Sequence, residues 1–218
     1  MAVLSPQQDI ELDLRARFFD LGLLQRVPVA ELITGFNALA RKYNEEHRHY
    51  HILGHLHDGF KVFDRFRHLA ESPDHLAVSW YYHDSIYDIG VPARQNEERS
   101  AALLARQFRK WGFSEPEIAV MVAPVLSTTH DHEPVFNDGR LIVDIDLAGL
   151  GAPWEVFLRN NENVREEYRH VPEDKFREGN GAILGRFLGR TPLYYTPEIE
   201  KELGAQAKDN LRRWLNRP

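Results

Sequence analysis

Apolar residues recur at three- and four-residue spacing along nearly the whole chain, and no stretch alternates apolar with polar residues as a half-buried strand would. The pattern predicts an all-α protein. A first helix is expected over 10–24. Pro28 and Val29 open a second through Leu32, Phe36, Leu39 and Tyr43, and a longer third covers 47–69. Ser72-Pro73-Asp74 joins a capping hydroxyl, a first-turn proline and an acid near a helix N-terminus, which predicts a fourth helix from Pro73 towards Ile89. Gly90-Val91-Pro92 ends it.

A fifth helix is expected over 96–111 and a sixth from Ser114-Glu115-Pro116 to about Thr128, bent at Pro124. The polar stretch 129–140, with Pro134 and Asp138-Gly139, reads as a loop, and 141–150 as an apolar helix bearing Asp144 and Asp146. Three more helices follow near 153–168, 173–188 and 197–215. There is no internal repeat and no low-complexity linker.

At 218 residues with 43% hydrophobic residues, the chain is long enough to bury its own core as one domain, or as one domain with a helical extension. A net charge of −6 gives no general attraction for nucleic acid or anionic membrane, so an anionic ligand would have to be small and met by a local basic cluster. The absence of cysteine excludes disulfides, thiolate ligands and a cysteine nucleophile. The opening MAVLSPQQDIELD turns acidic before an apolar core develops, and no later run approaches a membrane span, so the expected location is cytoplasmic.

The eleven histidines change the picture, because His47, His49, His51, His55 and His57 crowd one stretch while His83, His130 and His132 stand beside acids. Imidazole and carboxylate together hold hard or borderline divalent metals. His83 and Asp84, adjacent on a helix, diverge by about 100° and share one ion only if it sits over the edge between them. An acid at Asp146, among Ile142, Val143, Ile145 and Leu147, is costly if buried alone, and a metal would remove that cost. His55 follows His51 by four residues, which on one helix puts both on one face and makes His55 a candidate for substrate or a second metal. The HILGH spacing lacks the glutamate of the zinc-protease helix, since Ile52 stands there. His47, His49 and His57 read as surface residues.

The ordered segments RHYHILGH, WYYHDSIYD, NEERSA, STTH, DIDLAGLG and VREEY follow the sequence His, His-Asp, Asp. In this they resemble the HD-domain superfamily, in particular a branch of bacterial proteins described as predicted metal-dependent HD phosphohydrolases. The resemblance runs from about Val29 to the C-terminus. It implies an HD-domain-like helical bundle with additional C-terminal helices: a single domain over 1–218, with a metal-binding core at about 29–151 and helices at about 152–218 packed on it.

The resemblance also implies His51, His83, Asp84 and Asp146 as ligands of one divalent ion (Mn, Fe, Co, Ni, Zn or Mg), with Asp144 beside them. Where dinuclear members carry a further histidine before a Ser-Ala pair, this chain reads Asn96-Glu97-Glu98-Arg99-Ser100-Ala101, which favours one metal over two. His130 lies where some members place an extra histidine and is a candidate to protonate a leaving group or bind phosphate. Asp88, one helical turn beyond Asp84, and Glu97 are candidates for a base or water-orienting carboxylate. Arg48, Arg165, Lys175 and Arg177 are candidates to bind phosphate.

The implied reaction is hydrolysis of a small phosphate ester or anhydride, a nucleotide being the leading case by superfamily analogy. Two alternatives are an oxidative di-iron enzyme on the same scaffold and a non-catalytic nucleotide or metal sensor. The expected partner is a small phosphorylated substrate, with neither membrane nor nucleic acid, and a homo-oligomer stays open.

Overall fold

The computed structural model describes residues 5–217, so the first four residues of the acidic opening lie outside the described residues. Among the described residues there are helices and turns and no strand, as the periodicity requires. The helices are α1 (Pro6–Asp20), α2 (Val29–Tyr43), α3 (Leu53–Phe66), α4 (Pro73–Tyr82), α5 (Ala93–Lys110), α6 (Glu115–Ser127), α7 (Asn137–Asp146), α8 (Trp154–Glu167), α9 (Glu173–Gly189) and α10 (Pro197–Leu215). No helix among the described residues is long and apolar enough to cross a membrane.

Two compact units make up the chain, Met1–Ile142 and Val143–Pro218, and the division falls within the continuous helix α7. In the first unit α4 is the central element. Leu76 to Tyr82 are all buried, which is the signature of a helix apolar on every side. Its polar tips are tied to the helices around it. Tyr81 donates from its hydroxyl to the Leu14 carbonyl on α1 (2.6 Å), and its own carbonyl accepts from Tyr43 on α2 (3.0 Å). Trp80 Nε1 donates to Leu56 on α3 (2.9 Å), and Ser79 Oγ donates to Met121 on α6 (2.7 Å). Each bond satisfies a group that would be costly to bury alone. Apolar contacts fill the rest: Phe18 meets Tyr81 edge-on at 5.1 Å.

Gly59 on α3 is where α3 and α4 come closest. A Cβ there would stand 2.0 Å from Trp80 Cζ2, so only glycine lets the indole lie across the helix.

Helix starts follow the cap chemistry. Ser5 and Gln8 bond reciprocally (Gln8 N to Ser5 Oγ 3.3 Å, Ser5 N to Gln8 Oε1 2.9 Å), so α1 begins at Pro6, earlier than the expected residue 10. At α4 the expected cap differs: the Ser72 hydroxyl makes no capping bond. The Asp138 carboxylate at the start of α7 accepts from the amides of Glu71 (2.7 Å) and Ser72 (3.0 Å) instead. Asp74 turns outward to Gly22 N and Arg67.

Two expected helices are shorter than their periodicity suggests. The third starts at Leu53, leaving 45–52 irregular, and the fourth ends at Tyr82 rather than near Ile89. After α4, side chains from elsewhere take the backbone groups that a helix would have paired: Arg48 the Asp84 and Ser85 carbonyls and Ser100 the Ile86 amide. Pro124 lies inside α6, as expected.

The second unit is organised by α10, which packs on α9 and on the tight turn Leu147–Gly151. Asn210 donates to the carbonyls of Leu150 and Ala152, both at 2.8 Å. Asp144 accepts from the amides of Tyr195 (2.9 Å) and Thr196 (2.5 Å) at the α10 N-terminus, where a carboxylate complements the helix dipole. Burial pushes the Asp144 carboxyl up to about 6, against the opposing pull of those bonds.

Candidate metal centre

The site is built outward from the C-terminal end of α4. His83 caps that helix with its side chain wholly buried. Its ring stacks on Trp80 at 4.0 Å and 10°, and its Nδ1 lies 2.8 Å from the Trp80 carbonyl. A carbonyl only accepts, so Nδ1 donates to it, and Nε2 is the ring nitrogen turned to the cluster. Nε2 stands 3.0 Å from Asp84 Oδ2 and 3.3 Å from His55 Nε2, while His55 Nε2 is 3.8 Å from the same Asp84 oxygen. Asp146, which the resemblance implies as a ligand, is the last residue of α7. Ligand atoms of His55, His83 and Asp84 lie within 4.8 Å of one another.

The donor set fits a divalent cation. Two imidazole nitrogens and a carboxylate suit borderline metals. Neighbouring ligands held at ~2.0–2.2 Å from an octahedral or tetrahedral ion stand ~2.8–3.6 Å apart, a range that includes the separations around His83 Nε2. This group could hold a metal ion.

His55 stands in this group, whereas the resemblance implies His51 in that place. His51 lies before α3, in the irregular segment, so the two histidines do not share a helix face. Its ring stacks on Tyr87 (4.1 Å, 28°) and stands 6.0 Å from the His55 ring. Tyr87 in turn stacks on His47 (6.3 Å, 2°), whose Nε2 bonds the Tyr87 carbonyl at 2.9 Å and whose side chain is 40% exposed. Tyr50 packs against both His51 and His55 at 5.0 Å.

Arg48, expected at a phosphate, has a fully buried side chain. Its guanidinium is spent on the protein: on Glu45 (3.0 Å) and on the carbonyls of His51 (3.2 Å), Asp84 (2.7 Å) and Ser85 (3.3 Å). Asp88, expected one turn along a helix from Asp84, lies instead in the turn that follows α4. Its carboxylate accepts from Gly90 N (2.9 Å) and pairs with Arg99 (3.4 Å), and these two hold it below the usual carboxylate range.

Glu97, half-buried on α5, and His130, in the left-handed region at φ 57° after α6, stand outside the candidate group. Arg165 closes the C-terminal end of α8 through Tyr168 O (2.6 Å) and Val171 O (3.1 Å) and pairs with Glu173 (2.7 Å). Lys175 pairs with Glu178 on the exposed face of α9, and Arg177 reaches the Arg217 carbonyl at 3.4 Å. All three basic residues have their own protein partners.

Several residues that shape the site carry little sequence signal: Trp80 as the platform for His83, and Asn96 and Ser100 as anchors for the turn after Asp84. Asn96 exchanges two bonds with the Asp88 backbone, both at 3.0 Å, and Ser100 Oγ accepts from Ile86 N at 2.9 Å. Their spacing of four on α5 puts them on one face, which is the only hint the sequence offers. Compared with known proteins, the chain matches no family model and no curated protein.

Proposed function

We propose that this chain is a metal-dependent phosphohydrolase of the HD type, which uses one divalent ion held by His55, His83 and Asp84, with Asp146 as the further ligand that the resemblance implies, to hydrolyse a small phosphate ester or anhydride. The supporting observation is the convergence of two imidazole nitrogens and a carboxylate within 4.8 Å, with His83 Nε2 turned into the cluster by the Trp80 carbonyl. A divalent cation there would supply an acidified water and polarise a phosphoryl oxygen.

The chain's own residues do the positioning. The Trp80 stack and carbonyl fix the His83 ring, and near-complete burial of His55 and His83 limits competing water. His130 and Glu97 are the residues proposed to carry protons to the leaving group and from the nucleophile. Arg48, Arg165, Lys175 and Arg177 are engaged by protein partners, so charge on the phosphate would be met chiefly at the cation. A nucleotide is the first substrate to try, on superfamily analogy alone.

The test combines metal per chain, by elemental analysis, with phosphate release from nucleotides and sugar phosphates in Mn, Co, Ni, Fe and Zn. One metal per chain and turnover abolished in Asp84→Ala are expected. Two metals per chain with oxygen consumption by iron-loaded protein would replace hydrolysis with oxidative chemistry. Unchanged ligand binding in Asp84→Ala, with no turnover in the wild type, would leave a sensor.

A further inference from the structure

We propose that Arg48 is the positioning residue of the metal site: through the His51, Asp84 and Ser85 carbonyls it fixes the spacing between the segment leading into His55 and the turn bearing His83 and Asp84. The inference rests on the metal reading above.

Both stretches that carry the site are irregular. Residues 45–52 form no helix before Leu53, and α4 stops at Tyr82, with Ser85 N reaching back to Tyr82 O (3.0 Å). Irregular backbone inside a protein needs partners for its polar groups. The Arg48 guanidinium supplies them to both stretches at once. Its Nη1 donates to His51 O (3.2 Å) and Asp84 O (2.7 Å), and its Nη2 to Ser85 O (3.3 Å). Nε donates to Glu45 (3.0 Å), which holds the plane of the fork. Tyr43 and Tyr87 flank the cation at 5.2 and 5.5 Å.

Arginine suits this place because its donors lie in one rigid plane, whereas a lysine ammonium reaches the same carbonyls only one or two at a time. His55 begins α3 within four residues of the clamped His51 carbonyl, and its amide bonds to Ile52 O at 3.0 Å. A shift in the first stretch therefore moves the His55 ring relative to His83, to which Nε2 now stands at 3.3 Å.

The test compares Arg48→Lys and Arg48→Ala with the wild type in two measurements. The first is Co²⁺ titration followed by visible absorption. Arg48→Lys is expected to fold, to bind Co²⁺ about tenfold or more weakly and to show an altered ligand-field spectrum, a loss typical for residues that orient metal ligands. Methylguanidinium added to Arg48→Ala is expected to restore part of the binding. The second is amide hydrogen exchange on metal-free protein, where Arg48→Lys should raise exchange at 50–52 and 85–88 about tenfold or more and leave α10 unchanged.

Wild-type Co²⁺ affinity and spectrum in Arg48→Lys, with or without a lower melting temperature, would overturn the proposal. So would unchanged exchange in both stretches. If the wild type takes up no Co²⁺, the metal reading fails, and exchange alone then decides whether Arg48 is the clamp. If Arg48→Ala does not fold, the lysine variant carries both measurements.

Discussion

At the scale of single residues the two histidines of the first segment divide the work. His55 Nε2 is 3.3 Å from His83 Nε2, whereas the His51 ring lies flat on Tyr87. His55→Ala is therefore expected to lower metal affinity about 10-fold to 100-fold. His51→Ala should lower it less and act mainly on turnover. Metal content after dialysis, measured beside kcat, separates the two, and the reverse ranking would return His51 to the ligand place that the family pattern gives it.

His83, Asp84 and Asp146 stand out in the sequence because their order and their unusual setting coincide. The separate places of His51 and His55 do not, since a spacing of four implies a shared face only if both lie on one helix. Arg48, whose charge suggested a phosphate contact, is buried and bonds the His51 and Asp84 carbonyls, so it is part of the frame.

At the scale of elements, starts were easier to read than ends. Pro28-Val29, Pro73, Ser114 and Pro197 each mark a helix N-terminus where local chemistry settles the matter. The end of α4 depends on Ser100 and Asn96 fourteen and eight residues beyond their backbone partners, which no local pattern encodes.

The Ser114–Glu117 box carries a pH prediction. Hydrogen bonds from the Ser114 hydroxyl and amide, and then Arg26, pull Glu117 down to about 2. A depressed carboxylate stabilises the fold above its ordinary range, and that contribution is lost as pH falls from about 4.5 towards 2. Glu117→Gln should thus melt below the wild type at neutral pH, and the gap should narrow as denaturation is followed into acid. A gap independent of pH would mean that the carboxylate charge is not involved.

Gly59→Ala tests the contact of α3 with α4. The added methyl meets Trp80 Cζ2, and overpacking of this kind costs about 1–3 kcal/mol in chemical denaturation. Because His83 stacks on the same indole, metal affinity should fall together with stability.

At the scale of the whole molecule, a cation that binds only the folded chain must stabilise it. At a free concentration of a hundred times Kd the gain is about 2.7 kcal/mol. For a chain of this size that corresponds to a rise of several degrees in Tm, about 2–4 °C per kcal/mol, reversed by chelation. Asp84→Ala should abolish the rise. A wild-type Tm indifferent to every divalent ion tried would remove the metal from the account.

The turn from His83 to Asp88 also bears on how the chain tolerates changes of length. Connectors usually absorb inserted residues at small cost. Here consecutive backbone groups are individually matched: Asp84 and Ser85 carbonyls to Arg48, the Ile86 amide to Ser100, the Asp88 amide to Asn96. One glycine inserted between Asp84 and Ser85 would put the Ser85, Ile86 and Asp88 groups out of step with their partners, and such a variant should lose both soluble yield and metal uptake. An insertion beside Val135, which is 93% exposed and lies beyond His130, should have little effect, which marks that position as the place to graft a tag or a reporter.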